Sequence, residues 1–435
     1  MSESVPTASV VADVPCPFCA CLCDDLKLTV SGGRIVAAAN ACPSARQQLL
    51  APGRRRGENC RIAGGPASLQ QSLQRAAEIL LAARYPLFWG LRRASCEAQQ
   101  AAVEIAERSR GAIDIAAHGS GERNLDTLQT VGEVSCSLGE IRSRADLVVV
   151  WNADPVADLP RFFERYAPQS LGQPGGCPLV VVDSRSTATA AIASQHLRIH
   201  PGSEFETATV LWALAKRLTL DPRQIERQTG VSLAQWQELA ASMLRSHYGV
   251  LLDDGTDSHG TNSHRAIASP IAGLVRTLNE RRRWVSLRLA KVSNTNGAEQ
   301  VLGWRTGFSR AVDFSHGFPR YDPTAFAAES LLERGEVDAA ILICDGPPVS
   351  LRHAAQSHLQ QIPKVSIDWR EPPAWPDADV TIRVAVPGVE AGGTMFRMDG
   401  VPLSLRPALA ANTNAPADFE VLRMLQSALR PPGRS

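Results

Sequence analysis

The sequence predicts an α/β protein of two doubly wound domains, preceded by a small cysteine-rich β module. Three observations carry that reading. Short, continuously apolar strands alternate with amphipathic helices from residue 66 onward. The chain has 435 residues, about three times the usual length of one domain. Four of its ten cysteines fall within the eight residues 16–23.

After Cys23, the stretch DDLKLTVSGGRIVAAANA alternates Leu26, Leu28 and Val30, turns at Gly32–Gly33 and resumes at Ile35. That is a β-hairpin pattern. Segment 51–59 is rich in glycine and arginine, has no period and reads as a loop. The next segment, SLQQSLQRAAEILLAAR (68–84), places Leu69, Leu73, Ala76 and Leu80 on one helical face. PLFWGL follows as a strand, CEAQQAAVEIAERS as a helix and AIDIAA as a strand. The rhythm recurs with the strands ADLVVVW (145–151), PLVVVD (178–183) and YGVLLD (248–253), then VDAAILIC (337–344) and KVSID (364–368). TATVLWALAKRLT and HRAIASPIAGLVRTLN are the helices between them. Strands without polar alternation are buried on both faces, as in parallel sheets covered by helices. The glycine-rich alternation over 380–407 reads as strands and hairpins.

Composition narrows the function. The net charge is +1, so no strong field steers the chain to nucleic acid or an anionic membrane. No apolar run approaches the roughly 18 residues a membrane span requires. The first residues, MSESVPTASVVADVP, lack a basic start and an apolar stretch, so a cytoplasmic protein is expected. Thiols are kept reduced there, which points the cysteines toward metal rather than disulfides.

The sharpest motif is Cys16-Pro-Phe-Cys19-Ala-Cys21-Leu-Cys23, followed by Cys42. A C-x2-C-x3-C loop lets thiolates reach neighbouring corners of an iron–sulfur cube, and a fourth cysteine can arrive from the far side of the hairpin. Zinc is the competing metal, though its usual second C-x2-C pair is missing. Cys60 is the rival fourth ligand, and thiols without any metal are the plain alternative. A second group lies at strand ends: Asn152, Asp154 and Pro155, then Asp183 and Arg185, then Asp345 and Gly346, then Asp368. In open α/β sheets, ligands bind beyond the carboxyl ends of the strands. One such turn is ordinary turn chemistry, but four at matching positions favour a nucleotide-like ligand or a fold built to hold one.

Together, CPFCACLCDDL, NAC at 40–42, SCSLGEIRSRADLVVVWNADPVADLPRFFERY and VLGWRTGFSRAVDFSHGFPRYDP closely resemble the B subunit of formylmethanofuran dehydrogenase, from about residue 14 to 406. The resemblance implies a molybdopterin-oxidoreductase-like architecture, a [4Fe-4S] cluster, and tungsten or molybdenum held by molybdopterin guanine dinucleotide. It implies Cys16, Cys19, Cys23 and Cys42 as cluster ligands and leaves Cys21 and Cys60 extra. By strand-like alternation, Cys21 is expected to point away from the others, because its neighbours at alternate positions already face the metal. The resemblance also implies a division into 1–65, a first α/β domain made of 66–137 and 326–435, and an inserted α/β domain, 138–325.

The chain departs from the redox family at two places, the first of which is not decisive alone, because serine can ligate molybdenum in some members of the wider superfamily. Ser120 stands where that family has its metal-ligating cysteine, and Gly121 where it has a histidine. The family's Arg-Gly-His stretch falls on Ala290-Lys291-Val292. Loss of a thiolate ligand and an acid/base histidine removes most of the chemistry of carbon dioxide reduction. A bacterial branch fits this loss. Its formyltransferase/hydrolase complex moves a formyl group from tetrahydromethanopterin to methanofuran and hydrolyses it to formate, with the chemistry in other subunits. A non-redox member of such a complex is the first expectation, and an active tungsten or molybdenum enzyme the second.

Overall fold

The computed structural model describes residues 8–51, 60–115, 131–254, 270–346, 351–370, 373–409 and 415–429. The chain forms two compact units, Met1–His118 with Val292–Ser435, and Gly119–Lys291.

The first unit opens with an antiparallel sheet of β1 (Ser9–Val14), β2 (Leu26–Ser31) and β3 (Arg34–Ala39). The β2–β3 hairpin turns at Gly32–Gly33, both at positive φ, which glycine adopts without steric cost. β4 (Cys60–Ile62) and β5 (Gly65–Ala67) then join the edge of a nine-stranded sheet. β6 (Pro86–Gly90) and β7 (Ala112–Asp114) are parallel and central, and every residue of both is buried. The helix Cys96–Arg108 links them, capped by Ser95, whose Oγ accepts from the Ala98 N–H.

The second unit is one parallel sheet. Its strands are β8 (Leu147–Trp151), β9 (Leu179–Asp183), β10 (Gln195–Arg198), β11 (Tyr248–Asp253) and β12 (Arg283–Arg288), in the order 10-9-8-11-12. Its core packs Val149, Val182, Leu211, Trp236, Leu251, Leu274 and Trp284.

Back in the first unit, β13 (Val312–Asp313) and β14 (Arg320–Tyr321) extend the sheet antiparallel beyond β7. β15 (Ala339–Ile343), β16 (Lys364–Asp368) and β17 (Val380–Arg383) run parallel on the far side of β6. β18 (Gly393–Phe396) and β19 (Pro402–Leu405) form a separate hairpin.

Both central sheets are therefore doubly wound, each with one reversal of strand order. It lies between β6 and β15 in the first unit and between β8 and β11 in the second. The second unit is shorter than the expected 138–325. Val312 and Asp313 pair with Ile113 and Ala112 of β7, and the helix Thr295–Thr306 packs on Cys96–Arg108, which ties 292–325 to the first unit. At the other boundary the Ser286 N–H donates to Val134 O at 2.8 Å, which keeps residues just before 138 with the second unit. β1, β4, β5, β10, β12, β13 and β14 go beyond the strands expected from the sequence. Among the described residues, no helix is long and apolar enough to cross a membrane.

Candidate functional site

The hairpin explains how Cys42 reaches the cysteine loop. Lys27 pairs with Ala39, so Cys23, three residues before β2, and Cys42, three residues after β3, flank the same open end. The Asn40 side-chain amide donates to Asp25 O at 2.9 Å and ties that end together. The loop itself is closed by Cys16 N–H to Cys23 O, 2.8 Å, and by Leu22 N–H to Cys19 O, 3.0 Å. Leu22 plugs it onto the β18–β19 hairpin through Met395 and Leu405.

Burial, and then the neighbouring Cys19, Cys23 and Cys42 thiols, push the Cys16 thiol well above its ordinary value. The four thiols thus share one neighbourhood. Cys21 does not point away from them. Its thiol is in hydrogen-bonding contact with both Cys19 and Cys23, which raises its own pKa and lowers that of Cys19. The strand-like alternation behind the sequence expectation fails because Cys19–Leu22 is a turn, with Leu22 at φ +38°. Cys60 belongs elsewhere, as the first residue of β4, paired with Ile382 and Ala67. Among the described residues, no group of three or more His, Cys, Asp or Glu side chains is arranged to hold a metal ion.

Two loops from the main sheet support the cysteine loop. Arg93, just beyond β6, donates through Nη1 to Phe18 O at 3.4 Å, and its charge lowers the Cys19 pKa further. Trp369, just beyond β16, packs on the Phe18 ring at 5.9 Å. Arg93 Nε and Trp369 Nε1 are buried donors with no partner among the described residues. Burying such donors is costly unless something accepts from them.

The expected strand-end residues do lie at strand ends, but the chain's own donors hold their carboxylates. Asp345, after β15, takes Arg92 Nε on Oδ2 at 2.5 Å and Gly346 N–H on Oδ1 at 2.9 Å. Its carbonyl accepts from Trp375 Nε1 at 3.0 Å, and Trp375 packs on Trp89 at 6.0 Å. Asp368 holds Arg370 Nε at 3.1 and 3.0 Å. In the second unit Asp183 clasps Arg185 at 3.0 and 2.9 Å. Asn152 follows β8 at φ +49°, and Pro155 opens a four-residue helix. Asp154 accepts from the N–H groups of Ala157, Ala188 and Thr189 and from Thr189 Oγ1. Burial alone would raise the Asp154 carboxyl, and these bonds outweigh it and hold it low. Lys291 pairs with Asp158 at 2.7 Å. Ser120 lies outside the described residues.

Comparison with known proteins gives the assembly a context. No family model matches the chain. The B subunit of the tungsten-containing formylmethanofuran dehydrogenase 2 of Methanocaldococcus jannaschii is 33% identical over 96% of this chain and 98% of its own. The chain belongs to the family of formylmethanofuran dehydrogenase B subunits. The protein of the same name from Methanococcus maripaludis is 31% identical over the same shares. The B subunit of the formyltransferase/hydrolase complex of Methylorubrum extorquens is 26% identical over 77% of this chain and 87% of its own. Among solved structures, a chain of that formyltransferase/hydrolase complex, crystallised with methylofuran, matches with TM-score 0.68 over 85% of this chain and 98% of its own, at 23% identity. Acetylene hydratase from Pelobacter acetylenicus matches with TM-score 0.59 over 96% of this chain and 69% of its own, at 12% identity. The fold of this family member is therefore molybdopterin-oxidoreductase-like.

Arg92, Arg93, Trp369 and Trp375 are site residues that sequence reasoning did not single out. Trp89-Gly90-Leu91-Arg92-Arg93 at the end of an apolar strand is the signal that could have found the first two.

Proposed function

We propose that the chain is the B subunit of a cytoplasmic formyltransferase/hydrolase-type complex of one-carbon metabolism, and that it contributes assembly rather than redox chemistry. Ser120 carries this reading. A serine followed by glycine stands where the redox enzymes need a soft thiolate on the metal and a histidine to move protons. The likeness to the Methylorubrum extorquens protein and to its solved complex supports it. In such a complex, partner subunits pass a formyl group from a pterin nitrogen to the amine of a methanofuran. They then hydrolyse that formamide with water to formate and free amine. No electron transfer is required at any step.

The donor set of the N-terminal loop, four thiols in one neighbourhood, suits a [4Fe-4S] cluster, whose irons each take one thiolate, rather than a single metal ion. Cys16, Cys19, Cys23 and Cys42 would hold it, Arg93 would offset the negative charge of four thiolates, and the unpartnered Arg93 Nε and Trp369 Nε1 are suited to an acceptor-rich group there. Such a cluster would supply one-electron transfer, or serve only to brace the loop.

A second reading, an active tungsten or molybdenum enzyme, is favoured by the 33% and 31% identity to tungsten enzymes and by the retained cysteines. The test is to purify the complex with its partners and assay it with and without this chain. Formyl transfer and hydrolysis that are lost when the chain is omitted, yet unchanged in Ser120→Ala, support the assembly role. Dye-linked oxidation of the formyl group that disappears in Ser120→Ala would establish the second reading.

A further inference from the structure

We propose that the first unit closes its own strand-end crevice. The Arg92 guanidinium, paired with Asp345, and the Trp375 indole, which donates to the Asp345 carbonyl, occupy the place where a doubly wound sheet holds a nucleotide, and this unit takes up no guanine dinucleotide. The inference deepens the non-redox reading and rests on it for the identity of the excluded ligand.

The topology marks the place. Strand order reverses between β6 and β15, and the crevice at such a reversal is where open α/β sheets bind nucleotides. Here the two strand ends that flank it are locked together. The Leu91 N–H donates to Ile343 O at 2.6 Å, immediately past the last ladder pair, Gly90 with Ile343. Gly90 sits at φ +113°, and a Cβ added to it would lie 2.6 Å from Ile343 O and 2.9 Å from the Asp345 Cβ. Leu91 at φ +72° and Cys344 at φ +44° continue the unusual backbone on both sides. Non-glycine residues persist in that region only where surrounding contacts enforce it.

The side chains complete the closure. Arg92 and Asp345 are only 10% and 9% exposed. A carboxylate that is to receive ribose hydroxyls needs a free oxygen, and both Asp345 oxygens are engaged. A diphosphate would have to draw Arg92 away and leave Asp345 buried against its own negative charge. Among the described residues, the cavity bounded by Trp89, Gly90, Arg92, Ile115, Asp345 and Trp375 is about 10 Å³. That is room for about one water, whereas small-molecule pockets start at about 300 Å³.

The experiment uses the assembled complex and GDP as the probe. Hydrogen exchange is followed in the segments 86–92 and 339–346, with and without millimolar GDP, in wild type and in an Arg92→Ser, Asp345→Asn, Trp375→Ala variant. The expected result is no change in wild type and GDP-dependent slowing of at least threefold in the variant. Slowing in wild type would overturn the closure. No slowing in either would overturn the claim that these three side chains are what closes the site. Neither outcome bears on formyl transfer, so failure here is distinguishable from failure of the functional reading, which the omission assay decides.

Discussion

Replacing Arg92 with alanine removes one partner of an ion pair that joins two strand ends 253 residues apart in sequence. The Asp345 carboxylate is left almost fully buried and, among the described residues, keeps only the Gly346 N–H bond. At an effective dielectric constant of about 20, two unit charges about 4 Å apart attract by about 4 kcal/mol. Removal of one member of a buried pair generally costs about 3–5 kcal/mol. Both routes give about 4 kcal/mol, which is about a thousandfold in an opening equilibrium. Because the chain has two units, a single melting temperature would mix their responses. Hydrogen exchange of 86–92 and 339–346 reads the local opening directly. Exchange there should accelerate about a thousandfold in Arg92→Ala, while 147–151 in the second unit stays unchanged. Adding Asp345→Asn removes the stranded charge and should recover most of the loss. Acceleration of less than about fivefold (about 1 kcal/mol), or a double variant no better than the single one, would refute the reasoning.

Other perturbations address the remaining parts of the account. Anaerobic reconstitution with iron and sulfide should give the broad visible band of a [4Fe-4S] cluster. Cys42→Ser should abolish it and Cys60→Ser should leave it, and the reverse pattern would transfer the fourth ligand to Cys60. Asp313 accepts from Tyr85, Ser315 and Arg320; burial alone would raise its carboxyl, and these bonds outweigh that and hold it low. A depressed carboxyl contributes its stability above the unfolded value of about 3.9 and loses it as pH falls through the folded value. Asp313→Asn should therefore cost about 2 kcal/mol at pH 7, and its deficit relative to wild type should shrink below about pH 4 in urea titrations. Asp154→Ala should weaken the start of the helix Ala188–Ala191 by about 1–2 kcal/mol, read as faster exchange of the Ala188 and Thr189 amides.

What the sequence reveals, and what it conceals, follows from the range of the interactions involved. The five-residue strands LVVVW, LVVVD and AAILI are buried at every position and announce themselves by composition. The hairpin that brings Cys42 back to Cys23 is likewise local, set by alternation and two glycines. The two-residue strands β13 and β14 have no period to read, and their assignment to the first unit depends on pairing with β7, about 200 residues earlier. The orientation of Cys21 is not legible from alternation, because a turn at Leu22 replaces the expected strand geometry. The strand-end acids are legible as positions. Their engagement by Arg92, Arg185 and Arg370 is not, because the geometry of a turn decides whether a carboxylate faces a ligand or a neighbouring guanidinium.

The central proposal is that this family member works without tungsten or molybdenum, and one measurement tests it most directly. The complex is purified from cells supplied with both tungstate and molybdate, and each metal is counted per chain by elemental mass spectrometry. The account predicts far less than one atom of either metal per copy of this chain in a preparation that still releases formate. One tungsten or molybdenum atom per copy would contradict it.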